Sequence, residues 1–404
     1  MRPTQTNGSI QKNIMNISPW PCYSEEEAEA VKKVLLSNKV NYWTGDECRA
    51  FEKEFAEKFD ARHAVALSNG TVSLEVSLLA LGIGPGDEVV VTPRSFMASS
   101  SCVITVGATP VFADVDLASQ NLTAATIEKV ITPKTKAVIV VHLAGYPADM
   151  DPIMALAKKH NIYVIEDCAQ AHGAKYKGRS VGSIGHIGSW SFCQDKIMTT
   201  GGEGGMITTN DDKLWKFIWS YKDHGKNWDS VYHKKHPAGY RWLHDSFGTN
   251  YRMTEMQGAI GRIQLRKLDG WTFSRKRNAD KINEAVLNLP IFTTHTVPQH
   301  LTHAWYKWYG VVNESALRPN WDRDRIVQTL NEMGVPCLHG TCSELYREKA
   351  FETIVNADYI EQPDAKRLGE LSITLPVHPT LKREEINEFC TALKRISELS
   401  ARSA

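Results

Sequence analysis

GSWSFCQDKIMTTGGEGGMITTN, residues 188–210, holds two short apolar runs, GSWSF and GGMITTN, with no helical pattern between them. Upstream the rhythm is different. Ala64–Leu67 is a short apolar run followed by SNGT and a helical pattern through Leu81; EVVVT (88–92), a helix from about Phe96 to Val106 and PVFADV (110–115) follow. KAVIVVHL (136–143), a helix from Asp149 to His160 and YVIEDC (163–168) continue the series, with the continuously apolar strands of a sheet covered on both faces. Such β-α-β units build a parallel sheet. A strand that returns directly after GSWSF runs against its neighbour, so the expected class is α/β with a mixed, mostly parallel sheet.

After Asn250 the pattern turns helical, over Thr254 to Leu268 and again over Arg275 to Leu287, and the tail alternates short strands with helices up to Lys382–Leu399. This predicts an N-terminal arm (1–30), a large α/β domain (31–268) and a smaller C-terminal α+β domain (269–404). No internal repeat or low-complexity linker interrupts it.

Composition excludes several classes of function. The 404 residues are 42% hydrophobic and 23% charged, with a formal net charge of +1, so no global field favours nucleic acid or a membrane surface. Small polar ligands are expected instead. Eight cysteines lie scattered without CxxC pairs, which fits reduced thiols and no metal centre. The first residues, MRPTQTNGSIQKNIMN, lack the apolar core of a signal peptide, and no run approaches the roughly 20 apolar residues of a spanning helix. A cytoplasmic protein is expected.

In open α/β sheets ligands sit outside the carboxyl ends of the strands. Asp167 ends YVIE, where a carboxylate can also be a simple helix cap. Gly70 and Thr71 follow the first strand at a helix start, able to offer amides and a hydroxyl to a phosphate. Phe96 begins a helix after VVVT, Ser191 ends GSWS, and Lys196 stands before a glycine cluster. Each is weak alone. Together they suit pyridoxal phosphate, which needs a Schiff-base lysine, a carboxylate for its pyridine nitrogen, a phosphate cradle and an aromatic stacker.

The blocks EDCAQAHGA (166–174), SFCQDKIMTTGGEGG (191–205) and NYRMTEMQGAIGRIQL (250–265) carry a more specific signal. With them the chain resembles the DegT/DnrJ/StrS sugar aminotransferases, of the aspartate aminotransferase fold (fold type I), from NYWTGDECRAFEKEF near residue 41 to LPVHPTLKREEI near 375. The resemblance implies that Lys196 is the Schiff-base lysine, Asp167 pairs with the pyridine nitrogen, Gln170 contacts the ring and Ser191 binds the phosphate. It implies that Asn250 reaches the phosphate of a neighbouring subunit, hence a homodimer with sites at the interface. Glutamate is the implied amino donor and a ketosugar the acceptor. Some relatives that dehydrate a ketosugar carry histidine at the lysine position, so Lys196 favours aminotransfer. A non-catalytic sensor or scaffold of the same fold is the alternative of another class.

For the acceptor, Arg94 in TPRSF, with Trp43 and His172, forms the candidate substrate set. Arg94 stands where relatives often have a small residue, and could pair with a substrate carboxylate. The segment KDHGKNWDSVYHKKHPAGYRWLHDSFGTN (222–250) adds aromatic faces and positive charge, and GVPCLHGTCSELYREKAF (334–351) departs from the family's more usual histidine-tyrosine segment. These departures resemble the subgroup that makes 8-amino-3,8-dideoxy-manno-octulosonate, a lipopolysaccharide sugar, from a carboxylate-bearing 8-keto sugar acid. The alternative is a nucleotide-linked 4-keto or 3-keto deoxyhexose.

Overall fold

The computed structural model describes residues 17–235, 242–293, 296–354 and 360–402. Residues 1–16 of the expected arm and 236–241 of the Trp-rich segment lie outside the described residues. In chain order the strands are β1 (His63–Leu67), β2 (Glu88–Val91), β3 (Thr109–Phe112), β4 (Thr135–Val141), β5 (Tyr163–Asp167), β6 (Lys175–Tyr176), β7 (Arg179–Ser180), β8 (Ile187–Ser191) and β9 (Gly205–Thr209). The C-terminal part adds β10 (Phe292–Thr293), β11 (Leu301–Thr302), β12 (Trp308–Val312) and β13 (Ser372–Leu375).

The main sheet has the order β1-β9-β8-β5-β4-β2-β3. Strand β9 pairs antiparallel with both β8 and β1, and the remaining pairs are parallel. The mixed sheet expected from the missing helix after GSWSF is therefore present, with β9 as the reversed strand. All six other strands run the same way, so their carboxyl ends share one edge.

Alternation within the strands explains why they read as continuous apolar runs. Val90, Val138, Val140 and Val164 pack into a core on one face, while Val89, Val91, Ile139 and Ile165 pack into a core on the other. Both faces are covered by helices, including Gly70–Ala80, Ala98–Thr105 and Met150–His160. Close packing also dictates Gly188 in β8. A Cβ there would stand 2.4 Å from both Gly182 O and Thr208 Oγ1.

A single helix, Glu255–Val286, replaces the two helices expected on either side of Gly270. Thr254 caps it through a capping box with Gln257. One interior glycine costs only about 1 kcal/mol, and no atom approaches within 4 Å of where the Gly270 Cβ would be. The helix is held at both ends. Leu265 and Leu268 join the core around Phe55 and Trp190, whereas Ala279, Ile282 and Val286 join the separate core around Trp308 and Phe389. Residue 268, where the sequence pattern placed a domain change, lies inside this helix. The second core lies over the small antiparallel sheet β10-β12-β13 and the helix Arg383–Ser400. Among the described residues no helix is long and apolar enough to cross a membrane.

Phe55 meets Phe51, Phe59, Trp190 and Phe192 at centroid distances from 4.3 to 5.7 Å. Phe55→Ala removes the centre of that cluster and is expected to destabilise the fold by roughly 3–5 kcal/mol. Thermal unfolding measures it, and an unchanged melting temperature contradicts this account of the core.

Candidate active site

The loops at the shared strand edge enclose a cavity of about 670 Å³. Its lining draws together Gly70, Thr71, Phe96, Asp167, Gln170, Ser191 and Lys196, seven of the residues singled out in the sequence. Strand β1 delivers Gly70 and Thr71. Asn69 caps the following helix, its Oδ1 accepting from Val72 N at 3.0 Å, which leaves the first-turn amides of Gly70 and Thr71 on the lining. Gly70 lies so near β8 that a Cβ would stand 2.5 Å from Ser191 Cβ.

Asp167 ends β5 and is buried. Ser99 Oγ donates to its Oδ2 at 2.8 Å and Ala169 N to its Oδ1 at 3.1 Å. Burial pushes its carboxyl above the usual range, while these two hydrogen bonds and the charge of Lys196 oppose the rise. Gln170 presents Oε1 to Ala144 N at 2.7 Å, which fixes its amide on the wall. Phe96 is 67% exposed, an open aromatic face at the cavity.

Lys196 lies between two groups that sequence reading missed. Its Nζ is 3.9 Å from Asp195 Oδ1 and 5.1 Å from the centroid of the Tyr306 ring, and the Tyr306 hydroxyl donates to Asp195 Oδ2. The Lys196 carbonyl accepts from Trp20 Nε1 at 2.9 Å. Tyr306, Lys307 and Ser99 carried no signal, because their distance along the chain from Lys196 hides the contact.

The candidate substrate set is not assembled here. Arg94 is fully buried and turns inward: its guanidinium donates to Gln120 Oε1 at 2.7 and 3.1 Å, to Ser372 Oγ at 2.8 Å and to Ser343 Oγ. Burial lowers its pKa to about 10. The expectation that it meets a substrate carboxylate is corrected, since those neutral oxygens occupy its donors and its residue is absent from the cavity lining. Instead it ties the loop carrying Phe96 to Ser343 and Ser372 in the C-terminal part of the chain. His172 is likewise buried, among Phe59, Trp190 and Phe192, and among the described residues neither ring nitrogen has a hydrogen-bond partner. Burial lowers its pKa to about 3, so it is a neutral core ring and not a substrate contact. Trp43 is outside the cavity too, because its indole Nε1 donates to the buried Asp223 at 2.5 Å and Lys226 Nζ lies 4.1 Å from its ring. Asn250, exposed and bridged to Asp223, shares that neighbourhood and does not line this chain's cavity.

Residues 21–394 match the DegT/DnrJ/EryC1/StrS aminotransferase family. The chain belongs to this family. The crystal structure of an aminotransferase from Psychrobacter cryohalolentis is similar at 56% identity and a TM-score of 0.93, over 94% of this chain and 98% of that one. GDP-perosamine synthase of Escherichia coli O157:H7 is 36% identical, over 92% of this chain and 96% of its own length. The UDP-N-acetyl-3-dehydro-alpha-D-glucosamine 3-aminotransferase of Acidithiobacillus ferrooxidans is also 36% identical, over 92% and 94%.

The protein is a pyridoxal phosphate-dependent sugar aminotransferase of fold type I. The cavity suits that cofactor. It offers a lysine amine, a buried carboxylate at a strand end, an open helix start where only glycine fits, and an exposed aromatic ring.

Arg94→Ala leaves Gln120, Ser343 and Ser372 without their buried donor. Each unsatisfied group costs about 1–3 kcal/mol, so denaturation midpoints should fall clearly. A variant as stable as the parent would refute the tie between domains.

Proposed function

We propose that this enzyme moves an amino group from glutamate to a nucleotide-linked keto deoxyhexose. The observation that carries the aminotransfer is the convergence of Lys196, Asp167 and the Gly70–Ser191 cradle on one cavity. For the acceptor, the support comes from relatives whose names carry GDP and UDP sugars, together with the loss of the argument for a sugar acid. That argument needed an arginine free to meet a carboxylate, and Arg94 is engaged inside the protein. The 8-keto octulosonate is therefore set aside in favour of the nucleotide-linked sugar.

Pyridoxal phosphate, when bound, supplies an electron sink that lets a carbon bearing the amino group lose and regain a proton. The chain's own residues do the rest. The backbone amides of Gly70 and Thr71 at the helix start, with the hydroxyls of Thr71 and Ser191, would hold the phosphate. Phe96 would cover a face of the ring, with Gln170, fixed by Ala144 N, on the same cavity lining. Asp167 keeps a proton on the pyridine nitrogen. Its tendency to stay neutral when buried would be reversed by a cationic partner such as a protonated ring nitrogen. Lys196 Nζ holds the cofactor between turnovers and, once released, moves a proton to and from the substrate carbon.

The active unit in this proposal is a homodimer. Asn250 is exposed and separate from its own cavity, a placement that suits service to the neighbouring subunit's phosphate.

Lys196→Ala should abolish turnover without changing the fold, and Asp167→Asn should lower kcat by at least about a hundredfold. The assay is in halves: glutamate discharges the yellow cofactor colour, and a keto sugar restores it. Restoration by a nucleotide-linked 4-keto or 3-keto sugar supports the assignment. Restoration by the octulosonate alone overturns it, and a protein that binds the cofactor but accepts no amine from any donor is a sensor.

A further inference from the structure

Lys307 follows Tyr306 immediately before β12 and lines two spaces at once: the cofactor cavity and an adjoining cleft of about 850 Å³. Asp195 and Tyr306 are shared by the same wall. Among the described residues the Lys307 ammonium has no hydrogen bond or ion pair; its recorded neighbour is the Tyr306 ring, 5.3 Å away at the centroid. A mostly buried cation without an acceptor is costly unless something else supplies one.

Arg275 adds to the same field. It is buried on the cleft wall, with Nη1 donating to the carbonyls of Tyr306 at 3.1 Å and Trp305 at 3.4 Å. Its Nε and Nη2 find no hydrogen-bond partner among the described residues, and its guanidinium lies 5.0 Å from the Trp20 ring. Of the two acids on the cleft wall, Asp195 favours the charged forms of both Lys307 and Arg275 but must serve them together. Asp195 already accepts from the Tyr306 hydroxyl and faces Lys196, while Glu332 is exposed to solvent. Three cations, Lys196, Lys307 and Arg275, therefore share the one carboxylate of Asp195, and positive charge is in excess beside Lys196.

We propose that Lys307, with Arg275 behind it, binds an oxyanion of the substrates as they reach Lys196. This rests on the aminotransfer reading above. Both substrates offer the required chemistry: the amino donor has carboxylates and the nucleotide-linked sugar has phosphates. The cofactor's own phosphate is held elsewhere, by the Gly70, Thr71 and Ser191 part of the lining. An ammonium at this place meets its partner equally in the ground and transition states, so it governs affinity rather than the rate of the proton steps.

The test uses the cofactor-loaded enzyme and follows each half-reaction separately in the parent, Lys307→Met and Lys307→Arg. Loss of one charge-assisted hydrogen bond is expected to weaken apparent affinity in at least one half about tenfold or more for the methionine variant. The limiting rate should stay near the parent's, and arginine should restore most of the affinity. The parent's apparent affinity should also fall with added salt, and the methionine variant's much less. A loss with glutamate assigns the carboxylate; a loss with the sugar assigns the phosphate. Affinities within about twofold in both halves, or a loss confined to cofactor binding, overturn the proposal. If the parent accepts no nucleotide-linked sugar, the acceptor assignment fails by itself, and the glutamate half alone decides for or against Lys307.

Discussion

Two adjacent buried carboxylates end β5, and the bonding of Glu166 organises the site. Glu166 has no solvent exposure and accepts from the amides of Gly182 at 2.8 Å, Ile184 at 2.8 Å and Gly185 at 2.6 Å. It also lies 3.0 Å from His142 Nε2; because His142 Nδ1 accepts from Ala148 N, the Nε2 carries the proton and donates. Burial works against its charge, yet these bonds hold its carboxyl below the usual range. The ends of β4 and β5 and the turn before β8 are thereby locked together. Successive strand residues point to opposite faces, so fixing Glu166 on one side aims Asp167 into the cavity on the other.

The same economy of position recurs around the cavity. Ser99 reaches Asp167 from the helix after β2, and Ser95 lies 2.8 Å from Ser99, so the loop that presents Phe96 is joined to the carboxylate it accompanies. Arg94, one residue before Ser95, binds Ser343 and Ser372 in the C-terminal domain. That domain supplies Tyr309, Leu338, Gly340, Thr341 and Thr374 to the opposite wall. The cavity therefore depends on the fit between two cores, and the continuous helix Glu255–Val286 is the rigid element common to both.

Charge is treated differently in different parts of this molecule. Lys222 pairs with Glu52 at 2.7 Å, and Asp223 takes Lys226 at 3.0 Å and Arg252 at 2.6 Å, all in dry or nearly dry surroundings. Among the described residues Arg94 has only neutral acceptors, and Lys307 has no hydrogen-bond acceptor. Paired charges hold the chain together, whereas Lys307 stays available at the cavity. That contrast is what separates a structural cation from one able to receive a ligand.

The sequence alone determined the sheet class, its reversed strand and the residues at its productive edge. These follow from local features: apolar runs of strand length, a missing helix after GSWSF, and polar or glycine residues where strands end. Asp167, Gly70, Ser191 and Phe96 were legible because each lies at or near the end of an element whose direction the pattern reveals; Lys196, in the loop beyond β8, was singled out by the glycine cluster after it and by the family resemblance. Tertiary structure decided which way the other side chains turn. Arg94, Trp43 and His172 look available in the sequence, but burial and partners far along the chain draw them inward or elsewhere. Tyr306 and Lys307 lie in the segment just before β12, more than a hundred residues beyond Lys196 in the chain, and no spacing rule reaches that far. Periodicity records which face of an element is buried; it does not record what packs against it, and charge, hydrogen bonding and access all depend on that neighbour.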